Sequence, residues 1–199
     1  MKLILTTKTN LMLGIVMATA LLLSSSVWLT STTTLPAAFA QASPTCEGQT
    51  ATIVGTDGND NIVGTEGDDV IAALGGNDRV QALGGDDIVC GDDGNDNIDG
   101  GAGDDNIDGG AGNNRMDGGD GNDNMFGHAG NDRMNGDGGN DAIFSDGGND
   151  ALNGGDDNDE LFGEDGNDAL NGGNGRDFGS GGSGSNACVN LETAINCQA

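Results

Sequence analysis

The sequence predicts an all-β chain: a solenoid of parallel strands with two nonapeptide rows in each coil. Three observations predict it. Residues 55–180 fall into 14 rows of nine with no insertion or deletion. All rows but the last carry an apolar side chain at a fixed column, and Gly and Asp dominate the rest.

Composition excludes most alternatives. The 199 residues hold 39 Gly and 33 Asp plus Glu against 6 Lys plus Arg, with aromatics at 3%, too few bulky groups for an ordinary core. A formal charge of -27 would by itself keep the chain disordered by self-repulsion, so a fold requires something that cancels it. Collagen is excluded by the glycine spacing and by having only two prolines, Pro36 and Pro44. There is no basic footprint for nucleic acid.

The N-terminus reads as an address. Lys2 and Lys8 precede an apolar run from Leu11 to Leu23, and Ala38-Phe39-Ala40 supplies an A-x-A site, so residues 1–40 are expected to be a secretory signal peptide cleaved after Ala40. The run falls short of the roughly 20 residues that span a bilayer, and no lipobox or second hydrophobic segment suggests a stable membrane anchor. Cleavage removes both lysines, leaving Arg79, Arg115, Arg133 and Arg176 against 33 acids, a net of -29. Residues 41–54 and 181–199 are expected as caps on a roll spanning 55–180, because solenoid ends expose unpaired strand edges. Ile53 and Cys188 fall at the apolar column of degenerate rows beyond either end.

Each row is a glycine turn, an aspartate and a short strand. Column one is Gly except at Ala73, Ala82 and Ser145, and column four is Gly except at Asp157. Glycines there are expected to supply positive φ and close backbone approach. Column eight is Ile, Val, Met or Leu until Gly179, an apolar plug for a stack of strands spaced about 4.8 Å apart. Fourteen rows then make seven coils, a rod of roughly 34 Å. Because rows i and i+2 stack, the column-six residues form two files. The first holds Asp60, Asp78, Asp96, Asn114, Asp132, Asp150 and Asp168; the second holds Asp69, Asp87, Asp105, Asp123, Asp141, Asp159 and Asp177.

Carboxylates stacked this closely raise one another's pKa unless cations lie between them. Calcium suits such gaps, since it takes about six to eight oxygen ligands from mixed carboxylates and carbonyls; magnesium demands stricter geometry, and zinc wants His or Cys, which the rows lack. The thirteen aspartates are therefore expected as metal ligands. Six gaps per file allow about twelve calcium ions, whose charge of roughly +24 nearly cancels the chain's own. Asn114 should weaken its two neighbouring sites, while Asp157 and Gly179 should let the last coils fray.

The frame G-G-x-G-x-D-x-U-x, matched fully by Gly100-Gly101-Ala102-Gly103-Asp104-Asp105-Asn106-Ile107-Asp108, resembles the repeats-in-toxin (RTX), or haemolysin-type, calcium-binding repeat. The resemblance implies a right-handed parallel β-roll, with calcium held between stacked turns by the column-six aspartates and turn carbonyls. The segment from Cys46 to Gly94, with ATIVGT and IVCG, is also similar to small secreted actinobacterial-type members of that family.

Four cysteines in an exported chain suggest disulfides in one of three connectivities, with Cys46–Cys90 and Cys188–Cys197 favoured. No nucleophile with a base stands outside the rows, and H-E-x-x-H and G-x-S-x-G are absent, so no enzyme is expected. His128, the single histidine, is expected to be exposed on a turn. Column five is rich in Asn, which raises ice binding or adhesion as an alternative, but ice-binding repeats of this family resemble G-T-G-N-D, and the threonine which that resemblance implies at column three is missing. The function expected is a secreted, calcium-stabilised structural or interaction protein that folds on extracellular calcium. Its cell-surface or matrix partner is unspecified, and a non-catalytic remnant of an exported toxin or hydrolase is a further alternative.

Overall fold

The computed structural model describes residues 43–198. The expected signal peptide and its cleavage point lie outside the described residues. Within them every regular element is a β-strand, as the single apolar column and the glycine spacing dictate. Parallel strands build two main sheets, eight strands from Asn61–Val63 to Ala187–Val189 and nine from Ile53–Thr56 to Thr193–Ile195, beside a small parallel pair, Gly147–Gly148 with Asp165–Gly166. Chain neighbours alternate between the sheets, giving a β-solenoid of about eight coils.

The register is 18 residues throughout the repeats. Ile98 lies between Val80 and Met116, and Ile107 between Val89 and Met125, so two rows form one coil as expected. The column-eight side chains of both sheets meet in one dry cluster running from Ile62 to Leu170. Burying each contributes about 1.5–3 kcal/mol, but most coils also carry two aspartates out of water.

Flanking segments extend the ladders. Ile53 pairs with Ile71 and Cys188 with Leu170. At Gly179, which has no plug of its own, Leu191 fills the space where a side chain would stand. A further strand, Thr193–Ile195, pairs with Phe178–Ser180. An antiparallel pair, Thr45–Cys46 with Gln49–Thr50, precedes the first coil. Disulfides Cys46–Cys90 and Cys188–Cys197 tie these segments to the roll, in the favoured connectivity.

Backbone inversion differs from the sequence expectation. Positive φ occurs at columns two and four, not one and four: Leu74 (75°), Asp92 (65°) and His128 (62°) are column-two examples. Column one needs glycine for space. A Cβ on Gly91 would stand 2.6 Å from both Asp96 Oδ2 and Gly109 O.

Candidate metal centre

Each column-six aspartate points into its turn because the strand that follows places column eight in the core and the turn folds back over column six. From Asp78 onward Oδ1 accepts a backbone N–H from the column-six residue one coil earlier: Asp78 N–H donates to Asp96 Oδ1 at 2.8 Å, and Asp87 N–H to Asp105 Oδ1 at 2.8 Å. The structure therefore assembles both expected files. At the far end Asn186 and Glu192 take over, accepting from the Asp168 and Asp177 N–H groups.

The other carboxylate oxygen separates the aspartates into two groups. From Asp78 to Asp177, eleven Oδ2 atoms are buried without any hydrogen-bond partner, on residues only 1–3% exposed. An unsatisfied buried oxygen is costly, and on a carboxylate doubly so. Asp60 and Asp69 are different. Thr56 donates its N–H (2.6 Å) and hydroxyl (2.9 Å) to Asp60 Oδ2, and Thr65 does the same for Asp69 at 2.8 and 2.9 Å.

Burial is the largest influence on these carboxyls. It pushes Asp87, Asp96, Asp132 and Asp141 up to about 6, and Asp105, Asp123 and Asp159 up to about 7. A backbone N–H in each turn pulls the other way, and neighbouring charges, mostly carboxylates, add smaller contributions. Asp150 and Asp168 are raised for the same leading reason. The like-charge repulsion expected from the sequence is thus present but secondary to desolvation. Asp104, one residue before Asp105, goes the opposite way: backbone and side-chain N–H groups of Asn122 hold its exposed carboxyl below the usual range.

A cation fits this arrangement. Among the described residues no three acidic, His or Cys side chains converge on one point, so side chains alone do not complete a metal shell. The missing ligands have a ready source, since Asp96 Oδ2 and Gly109 O border the same small space that excludes a Cβ at Gly91. Mixed carboxylate and carbonyl oxygens suit calcium. Residues 54–89, 91–125, 117–152 and 153–187 match the family model of the RTX calcium-binding nonapeptide repeat (4 copies). The chain belongs to this family. No curated protein matches it.

Asn114 sits in the RTX file as an aspartate would, accepting Asp96 N–H at 2.9 Å, but its Nδ2 donates to Gly110 O at 3.3 Å. An amide there uses up a carbonyl and leaves no orphaned oxygen. Column five builds its own outer ladders in the reverse direction: Asn95 N–H and Nδ2 both donate back to Asn77 Oδ1, at 2.8 and 2.9 Å.

Sequence reasoning missed two features outside the aspartate files. His128 is partly exposed, but it clasps adjacent coils, with Nε2 on Asp108 and Nδ1 on Asp146, each at 3.1 Å. Burial lowers its pKa, yet the two carboxylates outweigh burial and hold it above the ordinary value. Phe126, Phe144 and Phe162 stack along one outer face with centroids 5.3 and 4.8 Å apart, and Phe178 continues the row at 5.7 Å with its ring tilted by 50°. The 18-residue spacing of the first three was the available signal.

Proposed function

We propose that this RTX-repeat chain is an exported calcium-binding structural or interaction protein, without catalytic activity, that folds as it binds extracellular calcium. The observation that carries this reading is the pair of files of buried, unpartnered Oδ2 atoms. Eleven such oxygens weigh against an ordinary fold unless a cation satisfies them.

The ligands in this reading are Asp78, Asp96, Asp132, Asp150 and Asp168 in one file and Asp87, Asp105, Asp123, Asp141, Asp159 and Asp177 in the other, together with column-one carbonyls such as that of Gly109. Calcium supplies positive charge to acceptors that have no donor. Three gaps in the first file and five in the second have an orphaned carboxylate on both sides, so about eight ions are expected in strong sites rather than twelve. Asp60 and Asp69, already bonded to threonines, then serve as structural acceptors first. Residues 1–40 act as the export signal, and the segments 41–54 and 181–199 close the ends of the roll. Family membership supports export, since repeats of this type are typical of extracellular proteins.

Circular dichroism during a calcium titration of the chelated protein tests the reading. Coil is expected to convert cooperatively to β-structure at about millimolar calcium. A β-spectrum indifferent to chelator rejects it.

A further inference from the structure

The two outer faces of the roll carry files that match each other. On the nine-stranded sheet, column nine reads Asp108, Phe126, Phe144, Phe162 through consecutive coils, in register Phe126↔Asp108, Phe126↔Phe144 and Phe144↔Phe162. These phenyls are half-buried, nearly parallel where Phe126, Phe144 and Phe162 meet, and spaced 5.3 and 4.8 Å apart. With Phe178 they are the only Phe, Tyr or Trp side chains among the described residues, and the His128 ring stacks beside Phe126 with centroids 6.5 Å apart. They form an apolar ridge on a strongly acidic surface.

On the eight-stranded sheet, column seven reads Arg133, Ala151, Ala169, Ala187 through consecutive coils. The alanines are exposed and floor a groove of about 630 Å³ that Arg115, Arg133 and Asn153 also line. Arg133 has no ion-pair partner among the described residues. This face also gathers Arg79, Arg115 and Arg133, three of the four arginines among the described residues.

We propose that the occupant of the alanine groove is the phenylalanine ridge of a second copy of this chain, with the two rods side by side and parallel. Both files repeat once per coil, so the axial spacings agree without adjustment. With Phe126, Phe144 and Phe162 seated over Ala151, Ala169 and Ala187, Asp108 falls opposite Arg133. Small side chains receive large ones, and the acid that begins one file meets the base that begins the other. The antiparallel alternative brings Arg133 past Phe162 toward Ser180, which carries no charge. Because ridge and groove lie on opposite faces of one rod, the contact is heterologous and does not close, and it adds copies sideways into a staggered layer. Aromatic anchors in a groove with a charged pair at the rim are how specific interfaces concentrate their energy. The inference rests on the calcium reading in one respect: rods of this charge repel until bound cations neutralise them.

Sedimentation velocity over a range of concentrations of the purified protein in millimolar calcium tests this, with circular dichroism on the same samples. Wild type is expected to grow beyond a dimer with concentration. Phe144→Asn, which installs the residue carried at this column by the opposite sheet, and Ala169→Glu, which fills the groove, are each expected to weaken association about tenfold or more with unchanged dichroism. Arg133→Asp is expected to weaken it and Asp108→Arg in the same chain to restore it. A folded wild type that stays monomeric overturns the proposal, as does association that survives Ala169→Glu. A chain that remains unstructured in calcium overturns both this proposal and the calcium reading.

Discussion

The first two rows and the rows after them close the same turn with different partners. In the first two, column two is threonine, and its N–H and hydroxyl both reach the second oxygen of Asp60 or Asp69. From Leu74 onward column two turns to positive φ, at 75° in Leu74 and 84° in Leu83, and the corresponding oxygen of every column-six aspartate has no donor. One nonapeptide frame can therefore satisfy its buried carboxylate internally or leave it to a cation. The choice lies at column two, where the repeat consensus has Gly and this chain varies from Thr to Leu, Asp, Gly, His and Glu.

The largest effect expected from this contrast is a reversal of pH dependence by calcium. Without metal, carboxyls pushed up to about 6 or 7 from 3.8 bind a proton more tightly in the roll than in the open chain. Each such group stabilises the metal-free roll fully below about pH 4, and that contribution is lost as the pH rises through 6 to 7. Calcium needs the ionised form, so acid should remove whatever stability the metal adds. Chelated protein is expected to gain β-dichroism as the pH falls from about 7.5 to about 4.5, while calcium-loaded protein loses thermal stability over the same interval. Parallel pH dependence in the two samples counts against burial as the origin of the carboxylates' demand for metal.

A smaller effect separates individual aspartates. Asp105→Asn puts in the second file what Asn114 already is in the first: Oδ1 keeps its acceptor role and the orphaned oxygen disappears. Isothermal titration is expected to show about two fewer strong calcium sites and a midpoint several-fold higher. The reverse change, Asn114→Asp, is expected to join the interrupted file and add sites. Asp69→Asn should leave calcium stoichiometry unchanged and cost roughly 1–3 kcal/mol through the Thr65 bonds. Equal loss of calcium at positions 69 and 105 contradicts the distinction between the two groups of rows.

The unbroken period made the solenoid, its 18-residue stacking and both aspartate files legible, because periodicity alone fixes which residues lie above which. What one row does differently from another was less legible. Thr56 and Thr65 look like ordinary turn residues until their donors are seen to converge on a carboxylate. Of the two reasons expected for glycine at column one, positive φ and close backbone approach, only the second holds: at Gly91 the constraint is the Asp96 oxygen and the next coil's carbonyl. Leu191 lies outside the frame, after a change of spacing, so no periodic argument could place it over Gly179. The phenylalanine file is readable by the same 18-residue rule, but column nine mixes apolar residues such as Val63 and Ala72 with Gln, Asp and Asn, so no single column pattern announces it.

The smallest effect concerns the outer files, where water competes for every bond. Asn131 Oδ1 accepts from the Asn149 N–H and Nδ2 at 2.9 and 3.1 Å, and its own Nδ2 donates to Asn113 at 2.9 Å. Asn131→Ala removes all three, but the groups left behind are exposed and rehydrate, so a loss of about 1 kcal/mol is expected in place of the penalty for a buried orphan. Thermal melts in saturating calcium should show a small drop with no change in the calcium midpoint. A shift in that midpoint comparable to that of Asp105→Asn would mean that the outer ladder sets the geometry of the inner one. The two adjacent columns, whose bonds run in opposite directions along the rod, would then act as one unit.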